Sequence, residues 1–114
     1  MERGTYYAVD GTLNGTTAVT IIAASGREFR RIVKSIIIQN RDTAAVTVTI
    51  RYLNGANTRQ VWTGSIAVND TLVWGANEGE WLLLDDTTKS ITAVMSGAAA
   101  TTNPDYIGYF EEIR

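Results

Sequence analysis

The chain has 114 residues, 45% of them hydrophobic and 19% charged, which is enough for one core and leaves no room for a second domain. Cysteine and histidine are both absent, and this excludes disulfide scaffolds, Cys/His metal sites, thiol nucleophiles and imidazole bases. Ten Lys and Arg against 12 Asp and Glu give a formal charge of -2 and a pI near 5.0, so phosphate backbones and anionic lipid surfaces repel the chain as a whole and neither nucleic acid nor a membrane is an expected partner.

Thr, Ile and Val number 16, 11 and 9; β-branched side chains fit a pleated sheet better than a helix, so an all-β domain is expected. Residues 5–9 form a short aromatic strand closed by Asp10-Gly11, with Asn14-Gly15 as a second turn, so residues 1–15 read as an N-terminal arm or hairpin. Residues 16–24 are apolar on both sides and predict a strand buried from both faces. Residues 29–39 are ambiguous, because Phe29, Ile32, Val33, Ile36 and Ile37 follow the spacing of a helix stripe. Their β-branched content favours a strand, in which Ile32, Lys34, Ile36 and Ile38 share a face and Lys34 is the misfit.

The clearest alternation sets Val46, Val48, Ile50 and Tyr52 against Thr47, Thr49 and Arg51, a strand with one wet face. The turn at Asn54-Gly55-Ala56-Asn57 then returns residues 58–63 as a hairpin. Strands follow at residues 65–68, 71–75, 80–85, 90–96 and 106–113, separated by polar turns and by a small-residue loop that holds Pro104, the one proline. About eight strands at this spacing predict a single-domain antiparallel β-sandwich or jelly roll. The longest apolar runs, Ile21 to Ala24 and Trp81 to Leu84, have four residues, against about 18 for a membrane span and about 7 to 15 for a signal-peptide core. Synthesis in the cytoplasm without targeting is therefore expected.

Few groups suggest chemistry. Asp85-Asp86 reads as a turn rather than a catalytic pair, and Glu78 and Glu80 as solvated loop charges; no calcium loop or phosphate-binding glycine motif is present. No catalytic residue, metal ligand or cofactor is assigned. Arg27, Arg30, Arg31 and Lys34 read as a solvated or edge-protecting face rather than a binding patch. Trp74 and Trp81 share faces with leucines and read as core or subunit contact, whereas Trp62 lies in a polar strand and is the tryptophan expected to be exposed. An exposed Trp62 could stack on a sugar ring, so a carbohydrate-binding module or receptor-binding tail component is the alternative function.

Three blocks resemble small β-sandwich accessory proteins of tailed-bacteriophage particles, which serve as capsid decoration or head and tail subunits. The first block is Ile32-Val33-Lys34-Ser35-Ile36-Ile37-Ile38-Gln39-Asn40, with Asp42-Thr43-Ala44 and Val46-Thr47-Val48-Thr49-Ile50 following. The second is Ser65-Ile66-Ala67-Val68-Asn69-Asp70-Thr71-Leu72-Val73-Trp74. The third runs from Leu82-Leu83-Leu84-Asp85-Asp86 to Ser90-Ile91-Thr92-Ala93 and closes on Val94-Met95-Ser96-Gly97. Together they span roughly 65 residues of turns and alternation; Asp85 stands where the family pattern has glycine, and residues 106–113 have no counterpart in it. The resemblance implies a non-enzymatic virion protein, homo-oligomeric, that binds the major capsid protein or other virion subunits. Aromatic residues near both termini, Tyr6, Tyr7, Tyr106, Tyr109 and Phe110, together with Trp62, are the expected contact residues.

Overall fold

The Thr-, Val- and Ile-rich segments form strands throughout, and the helix spacing of residues 29–39 belongs to a strand. The structure, a computed structural model, describes residues 4–26, 29–75 and 82–113. Its strands are β1 (Thr5–Thr12), β2 (Val19–Ile22), β3 (Arg30–Gln39), β4 (Val46–Asn54), β5 (Asn57–Ile66), β6 (Thr71–Gly75), β7 (Leu82–Leu84), β8 (Lys89–Met95) and β9 (Asp105–Ile113). One sheet has the order β1-β9-β3-β6, and β7 continues along the same edge of β3 as β6; the other has the order β2-β8-β4-β5. Every pairing is antiparallel. Apart from the β4–β5 hairpin and the β6–β7 step, each successive strand crosses to the opposite sheet. With β6 and β7 counted as one interrupted strand, this is an eight-stranded jelly roll.

Side chains from the two inner faces meet in one core. Val33, Ile36 and Ile38 of β3 and Phe110 of β9 come from one sheet, and Val48, Ile50, Ile91 and Ala93 of β4 and β8 from the other; all are at most 4% exposed. Bulges decide which residues face that core. Against β9 the register jumps between Val33 and Ser35, so Lys34 is the extra residue, and Val33 rather than Ile32 joins Ile36 and Ile38 inside. Lys34 is thus the misfit because the chain steps around it, and the three-residue step from Val33 to Ile36 imitates a helix. A second irregularity at Ile21 lets consecutive Ile21 and Ile22 both point inward.

Two turn expectations change. Asp10-Gly11 does not close a turn but lies inside β1, which pairs with β9 from Thr5 to Thr12. A β-ladder partner on β9 overrides the local turn preference of Asp-Gly. Residues 58–63 and 65–66 form one strand, β5, rather than two. The hairpin turn is where expected, with Gly55 at φ 61° between paired Asn54 and Asn57.

Gly108, mid-strand in β9, faces β1 and β2 closely. A Cβ there would lie 3.0 Å from Ile21 Cγ2 and 3.2 Å from Ile22 Cγ1 and Val9 Cγ2. Gly108→Ala is expected to lower stability by about 1–2 kcal/mol through overpacking. Urea denaturation measures this, and an unchanged midpoint would show that close approach is not why glycine stands there.

Candidate functional site

Strict alternation along β9 divides the terminal aromatics between core and surface. Tyr106 and Phe110 point inward and are 8% and 4% exposed, while Ile107 and Tyr109 point outward. Phe110 stacks on Tyr7 with ring centroids 5.5 Å apart, and the Arg31 guanidinium lies 4.7 Å above its ring. Arg31 also donates from Nε to Glu112 at 3.0 Å and from Nη1 to the Ala23 carbonyl. The Tyr106 ring covers Gly11, and its hydroxyl donates to the Thr20 carbonyl. Tyr106 and Phe110 are therefore core residues and not contact residues of a surface. Tyr7 and Phe110 stand opposite one another where β1 pairs with β9, and their stack is a cross-strand pair.

Trp62, expected to be exposed, is half-buried on the inner side of β5. It stands opposite Ile50, packs on the core, and lays its indole over Gly64. Trp74 is half-buried against the same core. Both pack on the core rather than standing clear of it, and Trp81 lies outside the described residues.

The outer face of the β1-β9-β3-β6 sheet is the apolar surface of the molecule. Of the seven large hydrophobic residues that are exposed among the described residues, Tyr6 (70%), Val73 (65%), Leu83, Tyr109 and Ile107 lie on this one face. Register fixes their rows across the strands. Asp10, Ile107, Ile37 and Val73 make one row, Ala8, Tyr109, Ser35 and Gly75 the next, and Tyr6, Glu111, Ile32 and Leu83 the third. Arg30 and Ile113 close one end, and Thr12, Asp105, Gln39 and Thr71 the other. Lys34 Nζ sits 3.6 Å from Glu111 near the Arg30 end, and Arg41 pairs with Asp105 at 2.8 Å at the other. Tyr6 and Tyr109 were legible as contact candidates from sequence. Ile37, Val73, Ile107 and Leu83 were not, although the unbroken run Ile36-Ile37-Ile38 signals a strand apolar on both faces.

The turn after β3 holds the main polar structure. Asn40 and Asp42 are 0% and 3% exposed. The Asn40 amide donates to the carbonyls of Ala44, Ile66 and Ala67, and its Oδ1 accepts from the Asp42 amide. The Asp42 carboxylate accepts from the amides of Thr43, Ala100, Thr101 and Thr102 and from the Thr101 hydroxyl, at 2.8–3.2 Å. Those amide donors, Ala100 and Thr101 foremost, hold its carboxyl well below the usual carboxylate range. The pair ties the β3–β4, β5–β6 and β8–β9 connections together at one end of the sandwich.

The other charged residues serve local structure. Asp86 accepts from the Thr87 amide as a turn residue, and Asp85 pairs with Lys89, which lowers the Asp85 carboxyl from its ordinary value. Glu78, Glu80 and Arg27 lie outside the described residues. Arg30 is exposed on the outer face while Arg31 is drawn inward over Phe110, so these two cations do not form one patch. Among the described residues no group of three or more acidic side chains is arranged around a metal-sized site. Asp10 and Asp105 line a shallow depression of about 340 Å³ on the outer face, where Asp105 is engaged by Arg41 and Thr12.

No protein-family model matches the chain, and no curated protein sequence matches it. Solved structures share its fold. A Bacillus endospore appendage protein from disulfide-linked pili is 16% identical over 99% of this chain and 89% of its own, with a TM-score of 0.56. A protein of the Macrobrachium rosenbergii extra small virus virus-like particle is 10% identical over 99% of this chain and 78% of its own, at 0.55. PirA is 13% identical over 92% of this chain and 93% of its own, at 0.50. At these identities the likeness is one of fold: the chain is an all-β sandwich of jelly-roll order.

Proposed function

We propose that this protein is a non-enzymatic structural subunit of a virus particle, a capsid-decoration or head-tail accessory protein of a tailed phage, which acts by binding neighbouring subunits. The observation that carries the reading is the clustering of Tyr6, Val73, Leu83, Ile107 and Tyr109 on one outer sheet face. A monomeric domain normally keeps such a face wet, and an exposed apolar patch of this kind marks an interaction surface. The fold is compatible, since two of the similar structures come from assemblies, a pilus and a virus-like particle. The disulfide linkage named for those pili does not carry over, because this chain has no cysteine. The work of such a subunit is burial of apolar area at contacts, of the order of 1,200–2,000 Å² for a stable interface.

Purified particles from the source of the gene, separated on a gradient and analysed by mass spectrometry, should contain the chain in fixed stoichiometry to a capsid or tail protein. Particles that lack it would remove the reading. Glycan-array binding abolished by Trp62→Ala would replace it with the carbohydrate-binding alternative.

A further inference from the structure

The outer face of the β1-β9-β3-β6 sheet carries its apolar residues in an order that matches itself along β3 and its β6/β7 edge. We propose that it packs against the same face of a second copy, related by a twofold axis that runs across the strands. The inference rests on the subunit reading above and names the first partner of that surface.

Such an axis keeps each strand over its own copy and reverses the rows. The Tyr109 row then lies over itself, and in that row Ala8, Ser35 and Gly75 are small, which leaves space for two tyrosine rings to pack side by side. Val73 of one copy falls over Leu83 of the other, and Ile37 over Ile32, so apolar meets apolar along β3 and its edge; along β9, Ile107 falls over Glu111, whose carboxylate is held by Lys34 of its own copy. Asp10 falls over Tyr6, whose hydroxyl is a donor for that carboxylate. At the ends Arg30 falls over Gln39, and Ile113 over Asp105, which keeps its own Arg41. A twofold along the strands would instead lay two carboxylates on apolar residues, Asp10 over Val73 and Glu111 over Ile32. A partner of another kind would have no need of this self-matching order of rows.

The area suffices. Four strands about 4.8 Å apart and some nine residues long, at about 3.3 Å each, cover roughly 600 Å² of plane. Side-chain relief brings the accessible area to roughly the 800 Å² per partner of a standard interface.

Sedimentation velocity across a concentration series, with the full chain, gives the first measurement. The wild type should dimerise, Val73→Glu and Tyr109→Glu should each weaken the dimer by about tenfold or more by burying an unpaired charge, and Thr47→Glu, on the outer face of the other sheet, should leave it unchanged. All four should keep the β-type circular-dichroism spectrum, since these positions are exposed. Orientation is read by crosslinking, which the absence of natural cysteine makes specific. Stacked sheets lie about 10 Å apart, so a thiol reagent of that span should join Tyr109→Cys to itself, and Val73→Cys to Leu83→Cys in a mixture faster than either to itself. A monomer at all concentrations overturns the proposal, as does a multimer indifferent to Val73→Glu and Tyr109→Glu or one that crosslinks Val73→Cys chiefly to itself. In each of those cases the chain's presence in purified particles decides separately whether the subunit reading survives.

Discussion

Asp42→Asn should lower the melting temperature by about 10 °C at neutral pH, because a buried carboxylate that receives five hydrogen bonds is replaced by a group that can receive fewer. The geometry leaves the amide no good orientation. Oδ1 accepts from Thr43, Thr101 and Thr102, and Oδ2 accepts from the Ala100 amide. Whichever oxygen becomes NH2 then faces a backbone N–H, donor against donor. Asp86→Asn is the control, since Asp86 is exposed and serves only its own turn at Thr87; it should shift the midpoint by no more than about 2 °C.

Acidification gives the same residue a second signature. The folded Asp42 carboxyl lies below its unfolded value of about 3.9. Between those two values the unfolded chain holds a proton that the native chain does not, so stability falls as the pH drops. Its contribution is complete above about pH 5 and is lost progressively toward the folded value. The Asn variant has no such term, so the gap between wild type and variant should be widest at neutral pH and should narrow between about pH 4 and pH 2. Thermal melts at pH 7, 4 and 3 would measure it. A gap constant with pH would show that the carboxylate's charge is not what holds the β8–β9 connection.

Composition and turn spacing made the strands, the jelly-roll class and the single core legible, because β-branched content and alternation act locally. The surface was only half legible. Tyr6 and Tyr109 are exposed as a contact residue must be, but Tyr106 and Phe110 were grouped with them because parity along β9 is set by its pairing with β1 and β3, which sequence does not display. Trp62 sits among polar neighbours in β5, yet it faces inward because Ile50 stands opposite. Asn40 and Asp42 stand in the sequence only as part of the first block of the resemblance, with no role of their own. Their importance comes from donors some 60 residues away in sequence, at Ala100, Thr101 and Thr102, and no local pattern announces contacts of that range.

Removing Lys34 should leave the protein folded, whereas removing Ile37 should prevent it from folding. Both deletions take one residue from β3, so chain length cannot explain a difference. Across from β9, Val33 pairs with Phe110 and Ser35 with Tyr109, and Lys34 has no Cα partner in that ladder. Its deletion joins Val33 to Ser35 with regular alternation and keeps Val33, Ile36 and Ile38 facing the core. The ion pair of Lys34 with Glu111, 3.6 Å apart and partly exposed, is of a kind worth at most about 1 kcal/mol. Deleting Ile37 instead makes Ile36 and Ile38 neighbours, which must then point to opposite faces, because a one-residue slip inverts every side chain beyond it. One of the two fully buried isoleucines would leave the core. Loss of one such side chain costs about 2–5 kcal/mol, and the displaced pairings with β6 and β9 add to that, against a total stability of about 5–15 kcal/mol for a domain. Soluble yield and circular dichroism of the two deletions, with thermal melts of whichever folds, decide the matter. If both fold, or if the Lys34 deletion is the one that fails, then β3 is not bulged at Lys34 and the assignment of Ile32, Ile37 and Ser35 to the outer face falls with it.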